Sequence, residues 1–169
     1  LHQNNGNPLG AFIARYAGAL GNSLQIDVFD SSNNTVFQSS TITSGNSTYN
    51  WNNLFPSKPG TSVSVSNAGG ANDEIHIVVT DAGGLFTGTK GQILETYGFV
   101  SKASDGVLNG STNYYKQVIF NQSKYIYAVD PVDYANTNAT WGSIGNVNFA
   151  RTGTATKTIT LSNGAVDTP

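Results

Sequence analysis

Short runs of β-branched and aromatic residues, each ended by a cluster of Gly, Asn, Asp or Ser, recur along the whole chain. That pattern restricts it to a fold built mainly of short strands. Leu24–Asp30 alternates apolar and polar residues, as a strand with one buried face does, and Val63–Ser66 alternates too. Glu74–Thr80 is apolar on both faces near its end and reads as a central strand. Gln92–Val100, Lys124–Asp130 and Thr156–Leu161 are further strands, and Ala11–Tyr16 is another candidate. The spacing predicts one docked helix over Asn113–Asn121. There Tyr115, Val118 and Ile119 share a face and Ser111 or Thr112 supplies the cap. A further helical turn is expected near Ala17–Asn22, weakened by Gly18 and Gly21.

Ser31–Asn34, Ser44–Gly60 and Asp133–Asn148 read as loops, and Leu1–Leu9 as a flexible N-terminal segment. With 169 residues the chain is the size of one domain, and a chain of this length buries close to ~70% of its unfolded surface without a metal or disulfide. The expected architecture is therefore a single mainly β domain over residues 10–169, α+β at most. It should be β-sandwich-like, with one or two short helices at its edge.

Charged residues make up 11% of the chain and the net charge is −2, against a typical charged content of roughly 25%. The eight basic residues, Arg15, Lys58, Lys90, Lys102, Lys116, Lys124, Arg151 and Lys157, are scattered singly. No clustered cations are available for a nucleic-acid groove or a membrane surface. Cysteine is absent, which excludes disulfides, zinc–thiolate sites and a Cys nucleophile. Methionine is absent even at position 1, so the chain is expected to be an excised or processed part of a longer protein. No apolar stretch approaches the ~20 residues of a membrane helix.

Candidate chemistry is sparse. Of the histidines, His2 lies in the polar N-terminal segment, and His76 sits inside a strand opposite Ile75 and Ile77, where a structural role is expected. Neither adjoins a nucleophile motif. Asp73 and Glu74 are adjacent and would point to opposite faces of a strand. Asp130 and Asp133 flank a turn at Pro131, without the spacing of a calcium loop. Asp81–Gly91 superficially resembles a phosphate loop, but Thr89 and Gly91 flank Lys90 in the wrong order and a strand follows. It reads as a flexible hairpin. No catalytic, cofactor-binding or metal-binding residue is named, and no enzymatic activity is expected. Trp51, Trp141, Tyr49 and Tyr134 lie in the long loops. Loop anchoring is favoured for them, with sugar stacking in a carbohydrate-binding or adhesin-type module as the alternative.

The order of several segments carries a resemblance. Ala14–Val28 is similar to the turn-into-strand stretch of contractile phage tail sheath proteins. Ile77–Val79 leading to Ile93–Ser101 resembles that family's strand, turn and glutamate–aromatic strand. Gly110–Tyr115 leading to Asn121–Ile126 resembles its helix element, and Thr160–Asp167 resembles the segment that closes its β domain, with Asn163 in place of a glycine. The resemblance covers about residues 12–167 and lies in the co-linear order of the segments. It implies a structural virion protein: the β-rich outer domain of a tail sheath subunit, made in the bacterial host cytoplasm and assembled into the phage tail. It further implies contacts with neighbouring sheath subunits and, through the rest of the subunit, with tail tube and baseplate. The isolated chain is expected to be monomeric, with no nucleic-acid or membrane partner and no cofactor.

Overall fold

The computed structural model describes residues 11–129, 140–151 and 153–162. In chain order, β1 (Phe12–Ala14) and α1 (Ala19–Asn22) lead into β2 (Leu24–Phe29), followed by α2 (Asn34–Ser39). The hairpin β3 (Thr41–Ser44) and β4 (Ser47–Asn50) runs into α3 (Trp51–Leu54) and α4 (Val63–Asn67). Next come β5 (Glu74–Asp81), β6 (Gln92–Ser101) and a small hairpin of β7 (Val107–Leu108) and β8 (Ser111–Thr112). α5 (Tyr115–Gln122), β9 (Ile126–Ala128) and β10 (Thr156–Thr160) complete the order. The mainly β expectation holds.

One antiparallel sheet, ordered β10-β2-β5-β6, forms the centre. Its two faces are both covered. Ile26 and Val28 of β2 stand beside Val79 and Ile77 of β5. With Tyr97 and Val100 of β6 they bury against Tyr115, Val118 and Ile119 of α5 and against Phe12 and Ile126 of the β1–β9 ladder. On the opposite face Phe29 and Val78 pack with Phe37, Ile42, Trp51 and Phe55, drawn from α2, the β3–β4 hairpin and α3. A third small cluster joins Val65, Ala103 and Phe149.

β2 departs from the half-buried strand its alternation suggested. All six of its residues are buried, because the β3–β4 hairpin covers the polar face. Buried Gln25 donates to the Thr43 carbonyl and to Asp27, which also accepts from Thr158. Alternation reads the chemistry of a face, and hydrogen-bonded polar side chains can line a covered one. Val63–Ser66 also differs: it is the helix α4. The Ser62 hydroxyl accepts from the Val65 amide and the Asp73 carboxylate holds the Ser62 amide and hydroxyl, so the capping outweighs the β-branched pattern. α5 forms where expected, but Ser111 and Thr112 belong to β8 and Tyr114 occupies the cap position without a side-chain bond. The Ser44–Gly60 loop contains β4 and α3. Part of the Asp133–Asn148 loop, together with His2, Asp130, Asp133, Tyr134 and residues 1–9, lies outside the described residues. Among the described residues, no helix is long and apolar enough to cross a membrane, which says nothing of strands.

Candidate functional site

β5 and β6 pair with two register irregularities, one between Val79 and Thr80 and one at His76: Ile75 faces Val100 and Ile77 faces Tyr97, so Gly98 and Phe99 together oppose His76. Phe99 adopts φ 57°. This left-handed conformation costs an L-residue with a Cβ about 1–2 kcal/mol. Two side chains hold it there. The Phe99 amide donates to Nδ1 of His76 (3.1 Å), and the Phe99 carbonyl accepts from Nδ2 of Asn113 (2.7 Å). The imidazole meets the Phe99 ring edge-on at 4.6 Å and stacks on Phe55 at 4.1 Å.

His76 is fully buried, and its hydrogen bonds define its proton. The Phe99 amide only donates, so Nδ1 is bare. The Ser57 carbonyl, 2.8 Å from Nε2, only accepts, so Nε2 carries the hydrogen. Both nitrogens are thereby committed to backbone groups, and neither meets a serine hydroxyl or a carboxylate. Burial pushes the His76 pKa down to about 4, with the Ser57 carbonyl acting weakly the other way. Between pH 6.5 and 4 the unfolded chain takes up a proton that the folded chain refuses. The His76 contribution to stability is therefore complete above about pH 6.5 and lost as pH falls towards 4, roughly 3 kcal/mol in all. Asp27, Asp30 and Glu74, each raised by burial, act in the opposite sense. An imidazole NMR titration therefore isolates the histidine. In a His2→Ala background the midpoint is expected near 4, and a midpoint near 6.5 would mean an open ring without the Phe99 bond.

Beside this bulge runs a groove of about 480 Å³ between α4, β5, β6 and the β7–β8 hairpin. Asn109 and Gly110 join β7 to β8 with φ 51° and 81°. Both central residues are thus left-handed, as a tight hairpin turn requires. The turn sets Val107 and Leu108 along the groove, opposite Val63 of α4.

A second hollow, about 100 Å³, lies at the end of β2 and includes Asp30, Glu74 and Arg151 in its wall. Beneath it Lys102 is fully buried, its Nζ donating to Asp30 (2.6 Å) and to the Phe149 carbonyl (2.7 Å). Burial raises the Asp30 carboxyl and lowers the Lys102 amine, and each charge pulls the other partly back. Lys102, which stands singly in the sequence, is thus buried and paired. Asp73 is likewise internal, its carboxylate holding Ser62 and Ser101. Adjacent Glu74 accepts from the Gly60 amide and lines both hollows. Among the described residues no three His, Cys, Asp or Glu side chains converge in a way that could hold a metal ion.

The stretch that superficially resembles a phosphate loop is filled from within. Amides of Gly84, Leu85, Phe86 and Thr87 all donate to the Asp81 carboxylate, joined by the hydroxyls of Ser23 and Thr87. Burial acts to raise this carboxyl, and the hydrogen bonds outweigh it and hold it below the ordinary value. The expected hairpin between two strands forms, joining β5 to β6, and its loop is tied through its own acid. Of the loop aromatics, Trp51 is inaccessible, Tyr49 donates its hydroxyl to the Gly91 carbonyl, and half-buried Trp141 packs edge-on against Tyr115. All three anchor the chain, so the sugar-stacking alternative loses Trp51 as a contact.

No family model, curated protein or solved structure matches this chain. Sequence reasoning had passed over the groove. Its signals were present as the Asn109-Gly110 hairpin dipeptide and the exposed Val107-Leu108 pair before it.

Proposed function

We propose that this chain is a non-catalytic structural domain of a contractile phage tail sheath subunit. The observation that carries the reading is the co-linear resemblance of Ala14–Val28, Ile77–Ser101 and Gly110–Ile126 to sheath proteins. Support comes from the role of those segments in the fold. They form β2, β6, α5, most of β5 and the start of β9, whose side chains make up most of the larger core. A resemblance confined to loops would carry much less. The low charge and the Asn-, Ser- and Thr-rich composition suit a particle surface that presents hydrogen-bonding groups without steering ions.

In this reading the domain contributes outer surface and lateral contacts with neighbouring sheath subunits in the virion. The rest of the subunit reaches tube and baseplate, and the extended lattice stores the energy of contraction. Immunogold electron microscopy with antibodies against this chain tests it. Regular label along the tail, with a spacing that shortens in contracted particles, is the expected result. Label confined to fibre tips or baseplate would refute it.

A further inference from the structure

We infer that the groove beside Phe99 binds a neutral saccharide. This does not depend on the sheath reading and goes beyond it.

The groove is apolar where a sugar presents its C–H face. Val63, Val107 and Leu108 are 77%, 48% and 56% exposed, and with Phe99 they all line one hollow. Single exposed aliphatics are ordinary, whereas convergence of several around a concavity marks a contact site. The same wall includes Asn67, Asn109, Ser64 and Glu74, residues with hydrogen-bonding side chains; the Ser64 hydroxyl already accepts from the Val107 amide and the Glu74 carboxylate from the Gly60 amide. Among the described residues no Lys, Arg or His lines the groove, and the one charged side chain in its wall, Glu74, is acidic. An acidic sugar, phosphate or nucleotide would therefore meet repulsion with no compensating cation. A ligand with apolar faces, several hydroxyls and no charge satisfies every feature of this wall. The volume, about 480 Å³, falls within the ~300–1,000 Å³ of small-ligand sites.

The second, independent observation is the strain. A bulge re-aims the side chain it carries, and conformational strain persists where surrounding groups over-determine it. At Phe99 a buried imidazole and a buried amide are both spent on fixing one backbone conformation. The two hydrogen bonds fix the Phe99 backbone where the residue forms part of the groove wall, so that part of the wall is set before any ligand arrives.

The test uses the whole chain on a printed array of neutral, sialylated and sulfated glycans. Neutral glycans that bind are then titrated into ¹⁵N-labelled protein. Expected are neutral hits, with amide shifts concentrated on Ser62–Asn67, Phe99 and Val107–Asn109. Two variants remove the surface, and their ¹⁵N spectra and urea unfolding check that the fold survives. Phe99→Gly suits glycine's freedom at φ 57°, and Leu108→Asn changes an exposed residue. Each should weaken binding about tenfold or more. Leu85→Asn, an equally exposed leucine on the Asp81–Gly91 loop, should leave it unchanged. Absence of neutral binding, binding of acidic glycans alone, or parental affinity in both groove variants would each overturn the assignment.

Discussion

Lys102→Met is expected to lower folding stability by roughly 3–5 kcal/mol, the cost of leaving a buried charge without its partner. Methionine nearly matches the lysine stem in length, so packing changes little. What disappears is the ammonium that satisfies Asp30 and the Phe149 carbonyl and faces the Trp141 ring at 5.4 Å. Asp30 stays 4% exposed, and one of its oxygens has no hydrogen-bond partner among the described residues. Its carboxyl, raised by burial even beside Lys102, should then rise further and take up a proton. The loss should accordingly be larger at pH 7 than at pH 4.5. Adding Asp30→Asn to Lys102→Met should recover a substantial part of it, because the charge and not the packing is at fault. Urea unfolding of parent, single and double variants at both pH values measures this. A single-variant loss below about 1 kcal/mol, as for exposed ion pairs, would show that water reaches the pair.

This pair and the His76–Phe99 bond serve different ends. Lys102 and Asp30 join the ends of β6 and β2 to the segment around Phe149, and backbone bonds from Lys102 to Asp73 and from Gly142 to Lys102 reinforce the junction. His76 works inside the sheet, where an interior imidazole must stay neutral to accept from an amide. Both place a titratable group where solvent does not reach, and neither arrangement supplies a group free to react. The groove adjoins these elements through Glu74, Phe99 and Asn113, so part of its wall rests on the central sheet.

The central strands were legible because their side chains declare them. Glu74–Thr80 is β-branched on both faces and lies between β2 and β6, and Gln92–Val100 and Thr156–Leu161 fall on β6 and β10 nearly to the residue. Tyr115, Val118 and Ile119 also show their helical spacing and are buried as a set. What sequence reasoning missed was decided by distant partners. α4 forms because Asp73, eleven positions after Ser62, fixes the cap. The left-handed Phe99 depends on His76 and Asn113, from different elements, and no local pattern announces it. Lys102 reads as an isolated cation until Asp30, 72 positions earlier, is brought to it. Local propensity locates the strands and the Asn109-Gly110 turn, and long-range polar pairing fixes α4, Phe99 and Lys102.

Trp51→Ala should cost roughly 3–5 kcal/mol, as large aromatic truncations in cores do. Trp51 is wholly inaccessible. Its ring lies 5.4 Å from Phe29 and 5.9 Å from Phe55, and Phe55 in turn stacks on His76. The cavity would open in the second core, under the face of the sheet opposite α5. That core is built from short α2 and α3 and the β3–β4 hairpin, elements with little independent stability to collapse inward. Trp51→Phe should cost well under half as much. It keeps an aromatic ring and removes an indole N–H that has no acceptor among the described residues, a group whose burial opposes folding. Thermal and urea unfolding of both variants provide the comparison. Glycan binding measured below the unfolding midpoint separates anchoring from recognition: Trp51→Ala should bind as the parent does while it remains folded. Selective loss of binding with unchanged stability would reverse that reading and make Trp51 a ligand contact.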